Sequence, residues 1–254
     1  MTFPYIEPAS MADAARPQVS ILIPVYNGLT YVKECIASLY TYPTEVSWEA
    51  IVVDQASTDG SREYLQQVAV ENPNFRLVEN SVNVGFPRAV NQGAAQAWGD
   101  LLMVLNSDVI LSPGCIDRLV AALDADSELA IVSPTTNYVG RGSQVDPEAV
   151  DLKPDQVTTY AEHIADRSGV QPAPDHLVFF CVMLRRAVFD FLGGMSEVYG
   201  LGNYEDNDFC LRARMLGFSL GIVPSAFAFH FGSRTFEEQR LAHTRWMERN
   251  ERVY

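Results

Sequence analysis

The sequence predicts an α/β fold with a mostly parallel central sheet flanked by helices. Two observations carry this. Short β-rich apolar runs alternate with helix-length segments through the first hundred residues, the pattern of strands joined by crossover helices. And Leu101–Leu105 (LLMVL) is an unbroken apolar run that ends in Asn106, Ser107 and Asp108. Such a run reads as a central strand buried on both faces, with its C-terminus opening into a cleft. Ligands of open α/β sheets bind beyond the carboxyl ends of the strands. A carboxylate fixed there either holds a cation or caps the turn before Ser112-Pro113.

The elements follow in order. Residues 1–18 form an N-terminal arm with three prolines, to which Phe3 and Tyr5 offer packing groups. Val19–Val25 (VSILIPV) is the first strand, and Pro24 marks its end. A helix is expected over 30–40 with Thr30 as its N-cap. Ala50–Asp54 is the second strand, Ser61 opens a helix to about Val70, and Phe75–Glu79 is a short third strand. The next helix is expected to run through Trp98, with Ala89, Gly93, Ala94 and Ala97 on its sheet-facing side. After the central strand, a helix spans 113–124 with Pro113 in its first turn, and 129–133 is a strand. Residues 134–174 are polar and rich in Pro and Gly, with one helix over 157–167, and read as a functional loop or lid. Then come a strand over 177–184, a turn region over 189–202 and a helix over 205–216. Two strands, 218–223 and 226–231, are split by Pro224. The C-terminal helix, 236–254, offers Phe236, Leu241 and Trp246 for packing. With no repeat or linker in view, residues 1–254 read as one domain.

Composition narrows the function. The 254 residues are 48% hydrophobic, enough for a sizeable core, and carry a formal net charge of −14. That balance argues against nucleic acid and anionic lipid as partners. It also means that a phosphate-bearing ligand would need a metal ion or a few placed arginines. Cys35, Cys115, Cys181 and Cys210 lack metal-binding or redox spacing and read as buried thiols in a reducing compartment. No run suggests a transmembrane segment or a signal peptide. The expected location is the cytoplasm, with any link to the inner membrane made through partners.

Six strand-end or helix-start segments gather the polar residues: VSILIPVYNG (19–28), VDQASTDGS (53–61), NVGFPRAVNQG (83–93), LNSDVILSPG (105–114), GNYEDNDFCLRAR (202–214) and HFGSRTF (230–236). In this order they resemble the inverting glycosyltransferases of family 2, and they span most of the chain. The last two most resemble bacterial members that build polysaccharides or glycans, often as one module of a longer protein. The resemblance implies the GT-A nucleotide-diphospho-sugar transferase fold, with a small antiparallel part near the acceptor site.

It also implies roles. Pro24, Tyr26, Asn27, Asp54, Asn83, Gly85, Arg88, Asn106 and Ser107 would bind the donor nucleotide. An ionised Asp54 is acceptor-only, which suits the imide N–H of uracil or thymine. Gly85 would permit close backbone approach, and Arg88 would offset phosphate charge. Asn106-Ser107-Asp108 stands where the family has Asp-X-Asp, and the first carboxylate is missing. Asp108 and His230 would then hold Mn²⁺ or Mg²⁺ together with donor phosphates. Asp206 is the expected catalytic base, with Glu205 as the alternative. The same acidic cluster also suits a helix N-terminus on electrostatic grounds alone. Arg234 and Thr235 would contact phosphate or acceptor.

The expected reaction is transfer from a UDP- or dTDP-sugar to a hydroxyl of a glycan, lipid-linked or protein-linked acceptor. The competing reading is a non-catalytic nucleotide-sugar-binding or scaffold domain. A nucleotidyltransferase wants a glycine-rich basic loop where the chain has PVYNG, and a dehydrogenase wants a G-x-G-x-x-G that no strand precedes.

Overall fold

The computed structural model describes residues 16–140, 142–174, 176–232 and 240–254. The side chains of residues 240–246 lie outside the description as well. The expected packing groups Phe3, Tyr5, Phe236, Leu241 and Trp246 are therefore outside it, as are Arg234 and Thr235.

The strands are β1 (Val19–Val25), β2 (Trp48–Gln55), β3 (Phe75–Asn80), β4 (Leu101–Leu105), β5 (Val109–Leu111), β6 (Leu129–Thr135), β7 (Gln171–Pro172), β8 (Cys181–Arg185) and β9 (Ser219–His230). The helices are α1 (Leu29–Thr41), α2 (Ser61–Glu71), α3 (Phe86–Gln96), α4 (Cys115–Ala125), α5 (Val157–His163), α6 (Arg186–Phe191), α7 (Glu205–Met215) and α8 (Arg240–Val253). The sheet order is β3-β2-β1-β4-β8-β6-β9-β5, with β7 paired to β9. The first four strands are parallel, and so are β6 and β9, while β8 runs antiparallel between β4 and β6. Helices cover both faces. The apolar residues of β1 show why, since Ile21 and Ile23 enter one core cluster and Leu22 the other. The period-2 side-chain alternation sends neighbours to opposite faces, so both must be covered.

Several boundaries differ from the sequence expectation. Thr30 does not cap α1, which starts one residue earlier behind Gly28 in the left-handed conformation. The Leu29 amide is taken by Asp59 from the next loop instead, at 2.9 Å. Pro113 lies outside α4, whose N-cap is Gly114. Helix α3 stops at Gln96, because the Trp98 and Gly99 amides are drawn to Glu49 and Ser20. The strand expected over 177–184 forms only from Cys181, since the Leu177 and Val178 amides go to side chains of Cys210 and Gln144. Helix α5 is shorter than expected and α6 lies partly in the supposed turn region.

Pro224 does not split a strand. β9 is continuous over twelve residues, and the register against β6 slips between Val223 and Phe227. The missing N–H falls where pairing is already interrupted, so the proline costs no ladder bond. The strand then runs on to pair with β5, an element the sequence did not reveal.

Candidate active site

The first site elements lie where β1, β2 and β4 end side by side. Val25 is opposite Asp54 in the β1–β2 register, and Leu22 is opposite Val104 in β1–β4. Pro24 is buried at the end of β1. Asn27 adopts a left-handed backbone, and its amide donates to Ser57 Oγ while its side-chain oxygen accepts from the Thr58 amide, both at 2.8 Å. Asn27 thus ties the loop after β1 to the loop after β2. Tyr26 beside it is half-buried.

Asp54 lies one residue short of the end of β2, which runs on to Gln55 where the sequence expectation stopped at Asp54, and it does not stand open. Its side chain is 0% exposed and carries Arg62 from the first turn of α2. Arg62 Nε and Nη2 both reach Asp54 Oδ2, at 2.8 and 2.7 Å. Nη2 also donates to the Asn80 carbonyl at 2.7 Å. The sequence reading missed Arg62. A signal was available, because the first turn of a helix disfavours a cation unless a specific anion holds it there.

Asn83 shapes the third loop by accepting from the Gly85 amide at 2.9 Å. Gly85 has φ 88°, and a Cβ there would lie 2.0 Å from the Gly200 carbonyl oxygen. The backbone it approaches closely is therefore the 200–202 loop, which also accepts the Phe86 amide at Leu201. Arg88 is exposed, and its nearest carboxylate is Glu197 at 3.9 Å.

The pairing of β5 with β9 sets Val109 opposite His230 and so brings Asp108 to the imidazole. Asp108 Oδ1 is 3.3 Å from His230 Nε2, and both side chains are largely buried. His230 Nδ1 is 2.9 Å from the Tyr138 carbonyl. A carbonyl only accepts, so Nδ1 carries the hydrogen, and in the neutral ring Nε2 has its lone pair toward Asp108. The ring stacks on Phe180 with centroids 5.3 Å apart. Burial disfavours the imidazolium, but Asp108 outweighs it and the net proton affinity is raised. Among the described residues no group of three His, Cys, Asp or Glu forms a metal cage. The pair does fit a divalent ion that takes its other ligands from phosphate and water. Cis positions of an octahedral ion lie roughly 3 Å apart, and a metal-binding histidine characteristically donates its second N–H to a carbonyl. Asn106 and Ser107 are half-buried at the mouth, and the Asn106 amide donates to Phe180 at 2.8 Å.

Glu205 and Asp206 open α7 after Asn203 and Tyr204, two successive non-glycine residues at φ 71° and 73°. The four positive-φ non-glycine residues among those described, these two with Asn27 and Ala56, all flank this cleft. Strain of this kind persists only where surrounding structure enforces it. Here Asn250 of α8, fully buried, donates to the carbonyls of Tyr199, Gly202 and Asn203 at 2.8, 2.9 and 3.1 Å. Asn250 was not foreseen, since a lone asparagine in a charged helix carries no sequence signal.

Asp206 is half-buried, and burial raises its pKa although the Asn207 amide and the His176 ring act the other way. Glu205 is 7% exposed, with Oε2 unpartnered. Burial first and the neighbouring Asp206 second push its pKa well above the ordinary carboxylate range. Two adjacent carboxyls of this kind resist ionising together, so they titrate as a pair. Asp208 pairs with Arg212, which ties α7 to the carbonyls of Leu192 and Gly194.

The Glu205 shift has a consequence for stability. The folded chain holds a proton that the unfolded chain releases in the ordinary carboxylate range. This group's stabilisation is complete below that range and is lost as pH rises through the raised value. Glu205→Gln, which cannot ionise, is therefore expected to gain on wild type as pH rises into mild alkali, by about 1.4 kcal/mol per unit by which folding raises the Glu205 pKa. The gap should close in acid. Thermal melts across pH test this, and identical pH slopes for the two proteins would refute it.

The model of the glycosyl transferase family 2 domain matches residues 20–193. The chain belongs to this family. Relatives include the poly(ribitol-phosphate) beta-glucosyltransferase of Bacillus spizizenii, 38% identical over 94 residues, which are 36% of this chain and 15% of that protein. Among solved structures, the family 2 chain superposes on the mannosyltransferase PcManGT of Pyrobaculum calidifontis in complex with GDP-Man and Mn²⁺. The TM-score is 0.65 and the identity 21%, covering 89% of this chain and 60% of that one. It also matches S. aureus TarS 1-349 in complex with UDP-GlcNAc at TM-score 0.63 and 17% identity, covering 85% and 59%. These likenesses establish the GT-A fold. The chain spans less than half the length of the first curated relatives it matches, at 40%, 35% and 25%. No helix among the described residues is long and apolar enough to cross a membrane.

Proposed function

We propose that the chain is a catalytic glycosyltransferase domain. It transfers a sugar with inversion from a UDP- or dTDP-sugar to a hydroxyl of a glycan, lipid-linked or protein-linked acceptor, and depends on Mn²⁺ or Mg²⁺. The observation that carries the reading is the Asp108–His230 pair at 3.3 Å, placed at the end of the central strand. Neighbouring proteins that bind GDP-Man with Mn²⁺, or UDP-GlcNAc, support the same class of ligand.

The site is arranged as an edge. Asp54 and the end of β4 are two strand spacings apart, about 10 Å, which suits a nucleotide lying across β1 with its base at β2 and its diphosphate at β4. Tyr26 and Asn27 line the path between them, and Asn106 and Ser107 adjoin the phosphates. Asn83 and Gly85 hold the third loop over the ribose, with Arg88 available to phosphate. Asp108 and His230 would hold the divalent ion, which supplies Lewis-acid stabilisation of the leaving diphosphate. Asp206 accepts the proton of the acceptor hydroxyl as its oxygen attacks the anomeric carbon opposite the diphosphate. Arg234 and Thr235 remain assigned to phosphate or acceptor. Four buried free thiols favour a reducing, cytoplasmic setting.

The test is thermal stabilisation by UDP, dTDP, GDP and CDP, each with and without Mn²⁺. A ligand at about 100 times its Kd adds about 2.7 kcal/mol to the native state. A shift with UDP or dTDP that requires Mn²⁺ is expected. A folded sample that responds to none of the four would refute the donor site and leave the scaffold reading.

A further inference from the structure

We propose that Asn137 is a positioning residue for His230. Its carboxamide fixes the main chain from which the imidazole meets Asp108, and so sets how tightly the chain holds the donor's divalent ion. The inference rests on the metal-site reading above.

The sheet leaves a gap at His230. β6 follows β9 only as far as Thr135, which lies opposite Phe227. β9 runs on for three more residues to His230 and pairs with β5 on its other edge. There the ladder bond runs from the Phe231 amide to the Asp108 carbonyl. Successive residues of a strand turn their amides to opposite edges, so the His230 amide and carbonyl face the edge that β6 has left. Buried backbone groups without partners would be costly.

Asn137, itself buried, supplies both partners. Its Oδ1 accepts from the His230 amide at 2.7 Å, and its Nδ2 donates to the His230 carbonyl at 3.1 Å. A carboxamide carries one accepting and one donating side, as a peptide unit does, and therefore stands in for the missing strand. The next residue completes the hold, because the Tyr138 carbonyl takes the Nδ1 hydrogen of the ring. Two successive residues thus fix the main chain of His230 and one nitrogen of its side chain. The other nitrogen, Nε2, is left at Asp108.

The same device recurs at Gln144, which is fully buried. It accepts from the Val178 amide at 2.9 Å and donates to the Val178 carbonyl at 3.0 Å. Two residues on, the Phe180 ring stacks against His230. Asn137 and Gln144 belong to one turn of chain. It is closed by the Thr136 amide on the Gln144 carbonyl at 2.9 Å and by the Asp146 amide on the Thr136 carbonyl at 2.8 Å. The start of the segment expected to form a loop or lid is therefore fastened to the strand of His230 and to the ring that stacks on it. Losing an outer contact that orients a metal ligand typically lowers metal affinity about 10–100-fold.

The test is calorimetric titration of the folded chain with UDP, in Mn²⁺ and in EDTA, joined to pulsed EPR of the complex with UDP and Mn²⁺. Asn137→Leu keeps the size of the side chain and removes both bonds. It is expected to lose about tenfold in UDP affinity in Mn²⁺ and to stay within about twofold in EDTA. The nitrogen modulation that a coordinated imidazole gives to bound Mn²⁺ should weaken in the same variant. His230→Ala completes a double-mutant cycle. With the imidazole already gone, Asn137→Leu should cost less than about a further twofold. Equal losses with and without His230 would overturn the proposal in favour of a general structural role, and so would unchanged affinity in Mn²⁺. Should Asn137→Leu fail to fold, Asn137→Ser, small enough to admit water to the His230 amide and carbonyl, enters the same cycle. Failure of both to fold makes Asn137 a folding residue and overturns the assignment. A wild type that binds UDP with Mn²⁺ but shows no nitrogen modulation overturns the metal role of His230, and this inference with it. A wild type that binds no UDP overturns the donor-site reading on which both rest.

Discussion

Asp206→Asn is expected to lower kcat for sugar transfer by about 10²–10⁴-fold, the usual contribution of a placed general base. UDP affinity should stay within about twofold. The substitution is nearly isosteric, and its oxygen can still accept from the Asn207 amide at the start of α7. What it removes is the capacity to take a proton. Because burial raises the Asp206 pKa, the ionised form appears at higher pH than for a free aspartate. Wild-type kcat should accordingly fall as pH falls through that raised value, and the residual rate of the variant should lack this acid limb. The measurement is nucleoside diphosphate release against pH. A rate within tenfold of wild type would transfer the role to another group, and Glu205→Gln would then identify or exclude the nearest one. A parallel loss of UDP affinity would instead place Asp206 in the donor site.

Asp108→Ala is expected to weaken UDP binding in Mn²⁺ by roughly 100-fold, equivalent to about 2.7 kcal/mol. Whatever binding remains should no longer respond to EDTA. The fold should tolerate the change, because the Phe231 amide bonds the Asp108 backbone carbonyl and not its side chain. The β5–β9 pairing is thereby kept, and Asp108→Asn serves as a second variant that preserves shape. Titration with UDP in Mn²⁺ and in EDTA reads both effects. Retained metal dependence in both variants would place the cation elsewhere.

The sequence by itself determined the parallel half of the fold. Leu101–Leu105 is apolar without interruption, Ala50–Val53 is apolar up to Asp54, and Val19–Val25 is broken only by Ser20, which is the composition of strands buried on both faces. The same logic placed Asp54 and Asn106-Ser107-Asp108 at strand ends, where polar residues first become tolerable. The acidic start of α7 was legible too, since it is a local pattern matched to a helix terminus.

Only the tertiary structure decided which of these groups meet. Asp108 and His230 are brought together by β5, a three-residue strand too short to show a period, and by a β9 that runs unbroken past Pro224. Gly85 against Gly200 and Asn250 on the loop before Glu205 are pairings between distant segments. No local propensity encodes them, because each is satisfied only after the sheet has set the strand ends side by side. Strand periodicity fixes which face a residue takes, but partnership across a cleft depends on register, and register is set by long-range pairing.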